Sequence, residues 1–174
     1  MERVLRPNLP VGPYRIKFKA VFICDEKVDY LIRLNIHQHK VSQTRVEMRG
    51  NISLKIPFDD SLNLNFNMAV LSKIGGWIDH AFDYSAQHAC TTLKTFLGPS
   101  WSTYMRSWNM SATQQCPLDK GEYIMRYDLS DVNNYHIPKE FIYGTYKTRL
   151  YYTDKNGMIV GCTILVVDIV RPWE

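Results

Sequence analysis

Residues 62–70, which read LNLNFNMAV, decide the fold. Apolar side chains alternate with three asparagines, and a period of two predicts a strand with one buried and one solvated face. A shift of one residue would bury three amides and expose their apolar neighbours, at a high cost in free energy. The segment therefore predicts a half-buried strand with a fixed register.

The same alternation recurs on both sides of this strand. It predicts strands over residues 15–24, 30–36, 51–58, 77–84, 122–129, 145–152 and 158–170. In the first of these, the even positions are expected to share the buried face: Ile16, Phe18, Ala20, Phe22 and Cys24. Asn156-Gly157 lies between the last two and predicts a hairpin turn, because this dipeptide tolerates the positive φ of a type I′ turn. Seven or eight strands without a repeated βα unit predict a mainly β fold, an antiparallel β-sandwich or β-cup.

One short helix is expected around residues 85–97, where apolar residues recur at helical spacing. Gly98-Pro99 follows it as a stop signal. The stretch from Trp101 to Trp108 continues with helical spacing but also contains Ser, Thr and Asn. A second helix and an irregular loop are both compatible with that stretch.

The composition describes one packed domain over residues 1–174. The chain is 45% hydrophobic and 13% aromatic, which excludes a disordered protein. Its longest apolar stretch, residues 158–170, is too short to cross a membrane. The net charge of +4 is spread along the chain, so nucleic acid is not an expected partner. The first twenty residues lack the apolar segment of a secretory signal, so the signal of a secreted protein would lie outside this numbering.

The four cysteines and two N-glycosylation motifs bear on the compartment. The cysteines are Cys24, Cys90, Cys116 and Cys162, which allow three disulfide connectivities. Acceptor motifs at Asn51 and Asn109 have meaning only in the secretory pathway. Together they favour an extracellular protein, the alternative being a cytosolic one with buried free thiols.

Two groups of side chains suggest metal or hydrolytic chemistry. His37 and His39 share one strand face, but that face is the solvated one and no third metal ligand is identifiable, so we expect surface histidines. The second group consists of Asp79, His80, Asp83 and His88, which could activate Ser85 or Ser100. No nucleophile motif such as Gly-x-Ser-x-Gly accompanies this group, so we expect neither an enzyme nor a metal site or cofactor.

Several short motifs, in order, resemble the ganglioside-activator-like lipid-recognition proteins. They are Cys116-Pro117-Leu118-Asp119-Lys120-Gly121-Glu122-Tyr123, Ile137-Pro138, Gly144-Thr145-Tyr146, Asn156-Gly157 and Gly161-Cys162. Further upstream, the chain resembles this family at Cys24-Asp25-Glu26, Gly50-Asn51-Ile52-Ser53-Leu54 and Ala89-Cys90 with Leu93. Within the family, the small number of cysteines is most similar to the insect CheB-type chemosensory branch.

This resemblance implies a fold, a cysteine pairing and a function. Cys24 would pair with Cys162 and Cys90 with Cys116, in a β-cup whose apolar cavity holds lipid. The implied function is a secreted, monomeric, non-enzymatic carrier of a lipid or long-chain hydrocarbon, with a membrane surface or a receptor as a further partner. An accessory protein-interaction module and a hydrolase are the alternatives.

Large apolar side chains outnumber those that the strands need for a core, and we expect the surplus to face a ligand. The expected cavity wall consists of Leu64, Phe66, Met68, Phe82, Leu93 and Phe96, and the expected rim of Trp77, Trp101, Tyr104, Met105 and Trp108. Trp and Met suit such a rim because they tolerate a half-wet environment. The alternative is that these side chains only cap an ordinary core.

Overall fold

The computed structural model describes residues 10–129 and 135–174. The strands are β1 Val11–Gly12, β2 Arg15–Ile23, β3 Ile32–Lys40, β4 Val46–Leu54, β5 Asn63–Leu71, β6 Trp77–Ala86, β7 Gly121–Asp128, β8 Phe141–Ile142, β9 Gly144–Thr153 and β10 Ile159–Val170. Two helices, α1 Ala89–Leu97 and α2 Trp101–Ser107, are joined by a 3₁₀ turn over Gly98–Ser100. Residues 1–9, part of the segment assessed as a secretory signal, lie outside the described residues.

The strands form two antiparallel sheets and a short ribbon. The larger sheet has the order β2-β10-β9-β5-β6, the smaller has the order β3-β4-β7, and β1 pairs with β8. One core cluster contains side chains from both sheets, among them Ile52 of β4, Met125 of β7 and Leu64 of β5. The expected mainly β, antiparallel sandwich is therefore confirmed.

The strand predicted from residues 62–70 is β5, in the expected register. Leu64 is buried as expected, but Asn65 on the opposite face is buried too, so the expectation of a solvated face is wrong at this position. Asn65 Nδ2 donates to Thr153 Oγ1 on the neighbouring strand at 3.1 Å, which satisfies its buried amide. The hairpin at Asn156-Gly157 also forms, but it is not the type I′ turn expected, because Gly157 has a positive φ, 79°, and Asn156 does not. Other boundaries differ: β4 covers 46–54 rather than 51–58, and the two-residue strands β1 and β8 are too short to show a period.

A β-bulge in β2 reverses which side chains face the core. Ala20 pairs with Val166 and Phe18 pairs with Val167, so Lys19 is an extra residue in the ladder. Beyond it the alternation changes phase. Ile23 is buried and Phe22 is exposed, so the expectation that Phe22 shares the buried face with Phe18 is wrong.

The two sheets approach each other closely at a glycine. A Cβ placed on Gly161 of β10 would lie 2.9 Å from the carbonyl oxygen of Ile32 on β3, which belongs to the smaller sheet. No larger side chain fits this contact without moving a strand. Gly161 therefore marks a closed end of the sandwich.

Both cysteine pairings implied by the resemblance are confirmed. Cys24 at the end of β2 is bonded to Cys162 on β10, and Cys90 on α1 is bonded to Cys116, five residues before β7. The first bridge lies on the outer face of the larger sheet, beside Tyr151. The second ties the first helix to the segment that enters the smaller sheet.

The predicted helix is α1, which begins later than expected. β6 continues to Ala86, which pairs with Leu64, so the helix starts at Ala89. Asp60 accepts hydrogen bonds from the backbone N–H and the hydroxyl of Thr91, which satisfies a free N–H of the first turn. The stretch from Trp101 to Trp108, with which a second helix and an irregular loop were both compatible, forms the helix α2 over Trp101–Ser107. No helix within residues 10–129 and 135–174 has the length and apolar character needed to cross a membrane.

Candidate functional site

A cavity of about 450 Å³ lies on the inner face of the five-stranded sheet. This volume falls within the range of about 300–1,000 Å³ that is usual for small-molecule sites. The smaller sheet contributes none of the residues that line it among those the structure describes. The lining residues are Tyr14, Ile16, Phe18, Leu64, Phe66, Met68, Phe82, Asp83, Tyr84, Leu93, Phe96, Ile137, Pro138, Phe141, Thr148, Leu150, Leu165, Val167 and Ile169.

The strand registers of the larger sheet build the cavity floor. Met68 of β5 lies between Phe82 of β6 and Thr148 of β9, and Thr148 pairs in turn with Leu165 of β10. Cross-strand partners share a face, so this row crosses four strands on one side of the sheet. Beyond the bulge, Phe18 pairs with Val167 and extends the floor onto β2.

The cover of the cavity is a helix and a loop rather than a second sheet. Leu93 and Phe96 reach it from α1, and Ile137 and Pro138 reach it from the segment before β8. The His136 N–H donates to the Phe96 carbonyl oxygen at 2.7 Å and joins these two parts. Tyr84 contacts Phe96 edge-on with ring centroids 5.5 Å apart, so aromatic rings close the side next to β6.

The cavity surface is almost entirely apolar. Asp83 borders it, but Asp83 pairs with Asn67 on the outer face, and its carboxylate contacts His80 Nδ1 at 3.1 Å. The Tyr14 hydroxyl donates to the Pro138 carbonyl oxygen, and burial raises the pKa of Tyr14. Among the described residues, a ligand in this space would find mainly apolar contacts, and Asp83 is the one charged side chain at its border.

All six side chains of the expected wall line this one cavity. They come from three elements: Leu64, Phe66 and Met68 from β5, Phe82 from β6, and Leu93 and Phe96 from α1. Their common location is a geometric finding.

The five expected rim residues do not border the cavity. Trp101, Met105 and Trp108 are buried in the main core, and the Trp101 indole donates to the Gln114 carbonyl oxygen at 2.8 Å. Tyr104 packs edge-on against Tyr127 of β7 at 5.2 Å, and its burial raises its pKa well above the usual range. The physical reason is the helical spacing of these residues, which turns one face of α2 toward the smaller sheet.

Trp77, the fifth expected rim residue, lies at the start of β6 with its ring exposed. The Lys147 ammonium lies 4.8 Å from its ring centroid, a cation–π distance. Trp77 does not line the cavity, and it belongs to an exposed apolar hairpin instead.

Sequence reasoning missed the part of the site on β2, β9 and β10. Alternation had marked Ile16 and Phe18 as buried, which was the available signal for β2. In β10 almost every residue from 164 to 170 is apolar, so no pattern distinguishes Leu165, Val167 and Ile169 from their neighbours.

The residues considered for hydrolysis do not assemble around a nucleophile. His80 and Asp83 form an exposed pair, and His88 precedes α1. Ser85 is exposed on β6, whereas Ser100 is buried at the end of the 3₁₀ turn that joins the two helices. The His80–Asp83 contact has the properties of a surface hydrogen bond.

The remaining marked residues lie on the surface. His37 and His39 face Arg49 and Glu47 across the β3–β4 ladder, and the part of the chain that the structure describes contains no cluster of three metal-binding side chains. Asn51 and Asn109 are both exposed, so their amides are accessible.

Comparison with solved structures gives a structural likeness, whereas comparison at the sequence level gives none. No protein-family model matches the sequence, and no match to a curated protein was found. Among solved structures, the chain is similar to chicken MD-1 complexed with lipid IVa, at 15% sequence identity and a TM-score of 0.40. The similarity covers 90% of this chain and 91% of the MD-1 chain.

Proposed function

We propose that this protein is a non-enzymatic binding protein that holds the hydrocarbon part of a lipid, or a long-chain hydrocarbon, in its apolar cavity. The observation that carries the proposal is the cavity of about 450 Å³ with an almost wholly apolar surface. Each methylene that leaves water for such a space gains about 0.8 kcal/mol, so a long chain binds without a charged partner.

The structure of the cover supports binding to a preformed site. α1 is fixed at its start by Asp60, in its first turn by the Cys90–Cys116 bridge, and at its end by the bond from His136. A wall held in this way loses little freedom when a ligand binds, which preserves affinity.

We further propose that the protein is extracellular and monomeric, with glycans at Asn51 and Asn109. Two disulfides and two exposed acceptor asparagines support this location, because both modifications belong to the secretory pathway. Membership of the lipid-recognition family and a chemosensory role, with a receptor as partner, rest on the motif resemblance and the matching cysteine pairs. An accessory role toward another protein remains the alternative function.

The decisive variant is Leu165→Trp, which places an indole in the cavity from the middle of β10. We expect it to lower the affinity for a fluorescent fatty acid by at least about tenfold, since the added ring occupies ligand space. Titration of the secreted, disulfide-bonded protein measures the change. Ile164→Trp is the matched control, because the neighbouring side chain faces away from the cavity, toward Phe22 and Arg149.

Mass spectrometry of an organic extract of the native protein gives an independent result. A stoichiometric lipid or hydrocarbon supports the carrier. An empty native protein that also fails to take up the fluorescent fatty acid would exclude it, and so would equal uptake by the Leu165→Trp and Ile164→Trp variants.

A further inference from the structure

The hairpin that connects β5 to β6 ends in an exposed apolar group. The apolar tip is defined here as Leu71, Ile74, Trp77 and Ile78, which are 43%, 98%, 37% and 55% exposed. Leu71 pairs with Trp77, and Ile74 protrudes at the end of the turn. An isoleucine that is almost fully exposed beside three other exposed apolar side chains is rare in a soluble protein. The tip therefore marks an interaction surface.

Part of the backbone of the turn is hydrogen-bonded within the turn itself. The Ser72 N–H donates to the Gly76 carbonyl oxygen at 3.0 Å, the Gly75 N–H to the Ser72 carbonyl oxygen at 3.3 Å, and Ser72 Oγ to the Gly75 carbonyl oxygen at 2.6 Å. Gly75 and Gly76 supply the positive φ values, 93° and 85°, that this turn requires. Unpaired backbone groups are the main cost of placing a loop in a lipid environment, and these bonds reduce it.

Two cations flank the apolar tip. Lys73 is exposed inside the turn, and Lys147 lies beside the Trp77 ring. Neither ammonium belongs to an ion pair formed among residues 10–129 and 135–174. Residues 71–79 carry one cation, Lys73, and one carboxylate, Asp79, so with Lys147 these charges beside the tip sum to +1.

The tip lies at the same end of the larger sheet as part of the cavity lining. Val70, one residue before the tip, packs in a cluster that also contains Phe141, Met68 and Ile169. The last three line the cavity. A surface touching the tip would therefore lie close to the cavity.

We propose that the apolar tip docks this protein on an anionic lipid surface. Ile74 would enter the boundary between headgroups and acyl chains, Trp77 would lie at the headgroup level, and Lys73 and Lys147 would face anionic headgroups. A typical protein interface uses roughly 20–30 residues on each side, many more than the four side chains of this convex tip. A fluid bilayer, by contrast, needs no partner of complementary shape. This proposal does not require the cavity to hold a ligand.

Flotation with unilamellar vesicles tests the docking. We expect wild-type protein to float with vesicles of phosphatidylcholine and phosphatidylserine, and more weakly with phosphatidylcholine alone. Ile74→Glu removes the apolar insertion and should lower vesicle binding by at least about tenfold. Lys73→Gln should lower binding to the anionic vesicles about fivefold and leave binding to phosphatidylcholine unchanged.

Ile124→Glu is the matched control. Ile124 is 78% exposed, but it lies on β7 of the smaller sheet, opposite Asn51. Its substitution should leave vesicle binding at the wild-type level. Quenching of Trp77 fluorescence by brominated lipid, lost in Trp77→Phe, gives a second measurement that does not depend on the stability of the Ile74 variant.

Two outcomes would overturn the proposal: wild-type protein that floats with neither kind of vesicle, or an Ile74→Glu variant that floats as well as wild type. Loss of flotation together with intact uptake of fatty acid from solution separates this surface from the proposed cavity. Normal flotation with no uptake would instead remove the carrier and leave the docking surface in place.

Discussion

At the scale of single residues, Glu47 is a buried carboxylate that accepts hydrogen bonds from two arginines. Its side chain is 5% exposed and lies on β4, where Arg126 Nε donates to it at 2.7 Å and an Arg49 guanidinium nitrogen donates at 2.9 Å. The hydrogen bonds from Arg126 and then Arg49 lower the pKa of Glu47 to about 2, against the desolvation that raises it. The ionised form is therefore strongly favoured in the folded state.

Because the pKa of Glu47 is lowered in the folded state, the free energy of unfolding depends on pH. A carboxyl whose pKa is lower in the folded state contributes stability that is present above its unfolded pKa, near 4.5, and is lost as the pH falls toward 2. We expect Glu47→Gln to flatten the dependence of unfolding free energy on pH within this window. Urea titrations at several pH values measure it.

Arg126→Gln is the companion variant for this measurement. It should weaken the slope without abolishing it, since Arg49 still contacts the carboxylate. A Glu47→Gln protein that keeps the wild-type slope between pH 4.5 and 2 would contradict the assignment.

At the scale of elements, α1 depends on the bridge between Cys90 and Cys116. The bridge joins residues 26 positions apart. In the chain-entropy model a loop of this length contributes about 3.5 kcal/mol to stability. Leu93 and Phe96 extend from the same helix into the cavity, so the bridge also fixes part of the wall.

We therefore expect the double variant Cys90→Ala, Cys116→Ala to lose about 3.5 kcal/mol of unfolding free energy and to bind the fluorescent fatty acid more weakly. Guanidinium titration and ligand titration measure the two effects.

The double variant Cys24→Ala, Cys162→Ala provides the comparison: this bridge spans 138 positions, but its sulfurs lie outside the cavity lining. It should lose more stability, about 5 kcal/mol, with less effect on binding once both proteins are studied below their unfolding transitions. Equal loss of binding in both variants would show that the wall does not depend on the inner bridge.

The sequence predicted elements well where one periodicity held throughout. Alternation located the long strands, and the spacing before Gly98-Pro99 located α1. It failed at Lys19, because one extra residue reverses the phase of the pattern without leaving a compositional sign. It also failed for Trp101, Met105 and Trp108, where composition suggested a rim but the helical spacing, which decides burial, turned them into the core.

At the scale of the whole molecule, Gly161 sets how closely the two sheets approach. A Cβ at this position would lie 2.9 Å from the Ile32 carbonyl oxygen and 3.0 Å from the Ile32 Cβ. Gly161→Val should therefore force β10 and β3 apart and cost about 1–3 kcal/mol of unfolding free energy, as overpacking does. Gly161→Ala should cost less, because it adds one methyl group rather than an isopropyl group. A Gly161→Val protein as stable as wild type would show that the contact is not tight in solution.

The sequence allowed part of the cavity lining to be predicted, but not the rest. Leu64, Phe66 and Met68 were identifiable because polar residues alternate with them. Leu165 and Val167 lie in a strand where both faces carry apolar side chains, so only the pairing with β9 and β2 shows which face is inside. Pairing across a sheet is a long-range property that no local window contains.

The unequal width of the two sheets has a consequence for diversification. Five strands face three, and the strip left without an opposing strand is covered by α1 and residues 137–138. Substitutions at Leu93 or Phe96 can therefore enlarge or shorten the internal space without breaking any hydrogen bond of a strand ladder. The scaffold and the capacity of the cavity are separable, so selection can retune what fits inside while the sandwich stays unchanged.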